Sequence, residues 1–201
     1  MIFSNLPQIV AFVGAHKITA LILIFFSMIV EGETFLIASG VLVHVGALSA
    51  WEVLVVSLVG VLVGDFLWYF LGVYLRKVKR AEPVIKKFET IVQKLLPAFK
   101  ERPFISLVLA KYIYGTNHAT LILSGVIGMD LWLFAKAETV ATVIWVLIYL
   151  TLGYLFGFAA LLVTNRVSIF LLIVAVLVVS VIAIQKWIAH YYEKKGGVDL
   201  D

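Results

Sequence analysis

From Thr139 to Asn165 the chain runs without one charged side chain. A helix crossing the hydrocarbon core of a bilayer needs about 20 residues, so this run is long enough to span. It commits the chain to a membrane, where every remaining polar residue needs a reason. Composition agrees: of 201 residues 63% are hydrophobic and 14% charged, and mean hydropathy is +1.10. A soluble domain of this size could not bury so much apolar surface. No segment alternates like an outer-membrane barrel strand, which leaves an all-α polytopic membrane protein.

A second span is expected from Trp51 to Leu75, where Asp65 is the one charge between Glu52 and Arg76. Two other apolar stretches are interrupted. Glu31-Gly32-Glu33 divides Ile18–Val30 from Thr34–Val43, and neither part alone can cross. Phe104–Met129 is broken by Lys111 through His118. Non-helical backbone at membrane depth is tolerated only inside protein or beside a polar cavity, so both segments are expected to be re-entrant helix hairpins. A final span is predicted over 167–185, followed by a polar tail, 186–201. Residues 1–17 are an N-terminal amphipathic or partial transmembrane segment. The start has no basic n-region and no evident cleavage site, so no signal peptide is expected.

Residues 76–103 hold nine of the sixteen Lys and Arg residues. That concentration marks a cytoplasmic loop, with Lys186, Lys194 and Lys195 placing the C-terminus on the same side. It also explains the net charge of +4 without nucleic acid. Val84, Ile85, Phe88, Ile91, Val92, Leu95 and Phe99 recur at helical spacing, which predicts a basic amphipathic helix on the inner membrane surface.

Shifted by 85 residues, the chain matches itself. Leu36, Ile37, Ser39, Gly40 and Val41 fall on Leu121, Ile122, Ser124, Gly125 and Val126. Without a gap, Leu67, Tyr69 and Gly72 fall on Leu152, Tyr154 and Gly157. Each half, 18–75 and 104–163, reads as a re-entrant hairpin plus a transmembrane helix. The basic linker makes the two hairpins enter from opposite sides. That is an inverted-topology repeat, whose site is expected where the broken segments meet.

Charge inside hydrocarbon usually faces protein, water or a partner charge. Glu31 and Glu33 are the acids of the first hairpin, with Glu33 a proton or cation site or else a cap paired with Lys111. Lys111, Tyr114, Asn117 and His118 form the basic and polar centre of the second. Asn117 and His118 open a half-helix whose free N–H groups suit an anion. Asp65 needs a partner at mid-span, with Lys111, Tyr69 or a cavity available. Glu138 reads as an interfacial pair with Lys136, and Tyr69 and Tyr154 as supporting residues that pack or hydrogen-bond between the halves.

These motifs resemble the DedA family, the VTT or SNARE-associated type of membrane protein. The resemblance rests on Glu31-Gly32-Glu33-Thr34 with Ala38-Ser39-Gly40, on Gly64-Asp65 with Tyr69 and Gly72, and on Lys111 through Asn117 with Ser124-Gly125 and Gly128. Trp145 with Gly153, Tyr154 and Gly157 completes it. Where the family's second hairpin usually carries two arginines flanking a proline, this chain has Lys111 and Asn117, with Tyr114 between them. The resemblance implies a transporter in a prokaryotic inner membrane that moves a phosphate-bearing lipid, a phospholipid or polyprenyl phosphate, between leaflets. Protons or a cation would be coupled partners, and a homo-oligomer is compatible. A proton- or cation-coupled transporter of a small solute and a non-transporting assembly protein are the rival readings. No catalytic residue, cofactor or metal is expected. The chain lacks cysteine, His-Glu-x-x-His, Gly-x-Ser-x-Gly and a phosphate-cradling glycine loop, so nothing points to an enzyme.

Overall fold

The computed structural model describes residues 6–30, 32–113 and 116–162. The expected final span and tail, Glu31 and Tyr114 lie outside these. All regular structure among the described residues is helical: α1 (Leu6–Ala15), α2 (Lys17–Val30), α3 (Gly32–His44), α4 (Ala50–Leu75), α5 (Glu82–Leu95), α6 (Pro103–Ala110), α7 (Asn117–Val126) and α8 (Leu131–Leu162). A short 3-10 turn, Lys79–Ala81, precedes α5.

Helices α4 and α8 are long and apolar enough to cross a membrane. At 1.5 Å per residue, the 26 residues of α4 reach about 39 Å, more than the hydrocarbon thickness. Both present large apolar side chains outward, including Val59, Leu67 and Phe70 on α4 and Leu147, Ile148 and Phe158 on α8. In water such continuous apolar surface would be a liability, and facing lipid tails it is neutral. The two interrupted segments are helix–break–helix pairs. Helix α2 packs on α3, and α6 on α7.

Local chemistry sets the boundaries. Helix α3 ends with Gly46 N–H bonded to the Val43 carbonyl and Ala47 N–H to that of Leu42. Helix α7 ends in the same way, Gly128 to Gly125 and Met129 to Ser124. Gly46 and Gly128 take φ +76° and +71°, the left-handed conformation that this terminal motif needs. Asp130 starts α8 by accepting a bond from the Leu133 N–H at 2.8 Å. Leu96 (φ −135°, ψ 67°) and Arg102 (φ −132°, ψ 63°) leave the helical region, as residues before proline tend to, and so α5 stops where it does and α6 begins at Pro103.

By contact the chain divides into two compact units. Among the described residues, one holds α1–α3, the first part of α4 to Gly64, and α8 from Val143. The other holds α4 from Asp65, then α5–α7, and α8 to Thr142. Each unit thus contains one hairpin, the first part of one long helix and the last part of the other.

A glycine seam recurs in both units. A Cβ on Gly125 would fall on the Tyr69 carbonyl oxygen, with the Val73 nitrogen at 2.7 Å and the Gly72 Cα at 3.0 Å. A Cβ on Gly40 would meet the Leu150 carbonyl oxygen at 2.5 Å, with the Gly153 Cα and the Tyr154 nitrogen both at 2.7 Å. Only glycine lets two helix backbones approach this closely. The contacts match Gly40 to Gly125 at the predicted offset, but they match Tyr69 to Leu150, Gly72 to Gly153 and Val73 to Tyr154. In the long helices the offset is therefore 81 rather than 85 residues, one helical turn less. Part of the slack lies where α3 runs further beyond its seam glycine than α7 does, six residues to Gly46 against three to Gly128. Tyr69 and Tyr154 are consequently not equivalent positions, contrary to the gapless reading.

Helix α5 also departs from expectation. Its apolar face packs on α7 within the second unit instead of being reserved for a bilayer surface. Val92 is fully buried, Leu96 and Phe99 nearly so, and Phe88, Ile91 and Leu95 pack against the same core. The charged face stays outside, where Lys86 bridges Glu82 one turn earlier at 2.9 Å and holds the Glu82 carboxyl below its usual range.

Candidate functional site: a buried charge cluster

The last part of α4 turns one face toward the second hairpin. Asp65, Tyr69 and Gly72 recur at helical spacing and all three are buried. Gly72 forms the seam with α7, and Tyr69 donates its hydroxyl to the Met129 carbonyl at 2.7 Å. Asp65 meets Lys111. On α8 the stripe Phe134, Ala137, Glu138, Ala141 and Thr142 is wholly buried. Glu138 and Thr142 stand one turn apart on it.

Lys111 is the residue at which α6 ends and the hairpin breaks. Its position favours a cation, because the last carbonyls of α6 carry partial negative charge. Its ammonium reaches Asp65 Oδ2 at 2.5 Å and Glu138 Oε2 at 3.0 Å, with the three side chains 3%, 6% and 0% exposed. The Thr142 hydroxyl approaches the same Asp65 oxygen at 3.4 Å. Two carboxylates thus share one buried ammonium, and Glu138 Oε1 has no hydrogen-bond partner.

This corrects the reading of Glu138. It is fully buried and bridged to Lys111, whereas Lys136 is exposed and sits over the Trp132 ring at 5.4 Å. Asp65 takes the first of its three candidate partners. Lys111 is engaged by Asp65 and Glu138, and Glu33 begins α3 in the other unit with an exposed side chain.

The start of α7 carries the remaining polar groups. Thr116 occupies the cap position without bonding a backbone N–H, and its hydroxyl is buried without a partner. Asn117 is half-buried, with Oδ1 likewise unpartnered. His118 is exposed and lies against Trp68, ring centres 4.9 Å apart. Further along α7, Thr120 and Ser124 return their hydroxyls to the carbonyls one turn back, at 2.8 and 2.7 Å. In the first unit Tyr154 is partly exposed and packs edge-on against His44 at 4.7 Å.

Two contributors were not anticipated. Thr142 adds a donor to Asp65, and Tyr112 reaches the Ala141 carbonyl at 3.4 Å, tying the hairpin break to α8. The spacing from Glu138 to Thr142 was the available signal, since residues four apart share a helical face. Among the described residues no group of His, Asp or Glu could hold a metal ion.

Residues 29–155 match the family model described as the VTT domain. The chain is 21% identical over 132 residues to the inner membrane protein YabI of Escherichia coli, covering 66% of this chain and 52% of YabI. It is 27% identical over 135 residues to the uncharacterized membrane protein YbfM of Bacillus subtilis, covering 64% and 80%. Against the uncharacterized membrane protein BU139 of Buchnera aphidicola it is 21% identical over 165 residues, covering 80% and 64%. The matched region is thus about half of YabI but most of YbfM. No solved structure matches the chain. The model match covers well over half of the sequence, and with two apolar helices of spanning length it identifies the chain as a membrane protein of the VTT-domain, or DedA, family.

Proposed function

We propose that this protein is a transporter that moves the phosphate-bearing headgroup of a membrane lipid between leaflets, with proton exchange at its charged cluster. The observation that carries the proposal is the Asp65–Lys111–Glu138 cluster at the break of α6–α7. Membrane proteins keep charges at this depth chiefly where ions, protons or polar substrates move. The broken pairs α2–α3 and α6–α7 are read as re-entrant hairpins of an inverted repeat, which the matching glycine seams support. The lipid as substrate comes from the family resemblance. Asn117 and the free N–H groups opening α7 would face the phosphate, and lowering the desolvation cost of a headgroup requires no covalent step.

One observation favours a second reading, a proton- or cation-coupled transporter of a small solute. Lys111 is already held by two carboxylates and offers phosphate no free ammonium. Purified protein in liposomes with fluorescent phospholipids or polyprenyl phosphates separates the two. Leaflet exchange above protein-free vesicles, reduced by Lys111→Ala and Glu33→Ala, is expected. Absence of exchange with every lipid tested would overturn the lipid reading, and uptake of solute driven by a pH gradient would favour the second.

A further inference from the structure

The cluster has an odd charge. With all three groups ionised, two carboxylates and one ammonium leave one net negative charge where side chains are at most 6% exposed. An uncompensated buried charge is strongly unfavourable, so the site needs one more positive charge. Among the described residues no group of three or more His, Asp or Glu could hold a metal ion. A proton needs one lone pair.

The two carboxylates are not equivalent. Asp65 Oδ2 receives the shorter bond from Lys111 and also faces the Thr142 hydroxyl, so two donors support its charge. Glu138 receives one donor, at 3.0 Å on Oε2, and its Oε1 has none. Hydrogen bonds to a carboxylate favour the ionised form, and burial without them favours the neutral acid. The other titratable groups nearby are Tyr112, whose hydroxyl bonds the Ala141 carbonyl, and His118, within electrostatic reach of Asp65 and Lys111. Neither touches Glu138.

We infer that Glu138 is a proton-binding site. At neutral pH the cluster is a charged Asp65–Lys111 pair beside a protonated Glu138, and release of that proton to solvent leaves the buried charge uncompensated. Any conformational change that admits water to α8 would therefore release or take up one proton here. The inference concerns the cluster itself and stands whether or not a lipid is the substrate.

The test is infrared spectroscopy of the protein in lipid nanodiscs. A carbonyl-stretch band from a protonated carboxylic acid is expected at neutral pH. It should shift when glutamate carries a heavy-carbon carboxyl label, and it should be missing from Glu138→Gln. If Glu138→Gln fails to fold, Glu138→Asp separates this group from the other glutamates, because in that variant the band should move with labelled aspartate. The inference is overturned by absence of the band at neutral pH, by a band of the native protein that moves with labelled aspartate instead, or by one that persists in folded Glu138→Gln. None of these readouts depends on leaflet exchange.

Discussion

Replacing Lys111 by methionine keeps most of the side-chain volume and removes the ammonium. Asp65 Oδ2 and Glu138 Oε2 then lose the donor that sat at 2.5 and 3.0 Å, inside a site at most 6% exposed. Removing one partner of a buried ion pair costs about 3–5 kcal/mol, because the other is left charged and unpaired. The expected destabilisation is about 4 kcal/mol. For a chain of this size that corresponds to a fall of about 8–16 °C in melting temperature. A buried carboxyl pair that has lost its ammonium is better accommodated as neutral acid, so the variant's stability is lost as pH rises and regained toward acid. Adding Asp65→Asn removes one carboxyl of the pair and should recover most of the loss. Thermal unfolding in detergent, followed by tryptophan fluorescence and gel filtration from mildly acidic to neutral pH, measures all of this. A Lys111→Met protein that melts within about 2 °C of the native one, or whose loss is independent of pH, would refute the reasoning.

The glycine seams should be intolerant of a methyl group. Gly125→Ala and Gly40→Ala each force backbone apart and should lose about 1–3 kcal/mol in the same melt, whereas Gly14→Ala, with nothing within 4 Å of the added carbon, should be neutral or gain up to about 1 kcal/mol. Tyr69→Phe leaves the buried Met129 carbonyl without its donor and should lower stability by about 1–3 kcal/mol with no change in helix content by circular dichroism. Val92→Asp places an unpaired charge at a fully buried position of α5 and should release that helix from α7. Faster trypsin cleavage at Lys86, Lys87 and Lys94 would report it, and an unchanged cleavage rate would argue against the docking.

The helix–break–helix pairs were legible because a charge or a polar run interrupts an otherwise apolar segment. The two long helices were legible from length alone. Glu138 was misread by sequence proximity. Lys136 lies two residues away, a spacing that puts the two on different faces of a helix, and the true partner came from the hairpin break far upstream. The expected 85-residue offset relates Gly40 to Gly125, the two glycines with close helix contacts, while their partners on the long helices differ from it by one turn. A whole turn preserves the facing, so apolar residues could not reveal the difference. The apolar face of α5 was visible too, but periodicity says only that the face is covered, not whether lipid or α7 covers it.

The two seams close at different times as the chain is made. In the second unit Gly72 is already in place when Gly125 emerges, so α7 meets its backbone partner at once. In the first unit Gly40 must wait for Leu150 through Tyr154. The pair α2–α3 is thus translated and left without its seam while α4 to α7 and most of α8 follow. Truncation before Gly153 should therefore give a chain whose second hairpin is docked and whose first is not, and ribosome-stalled chains of increasing length would date the step at which α3 becomes protected.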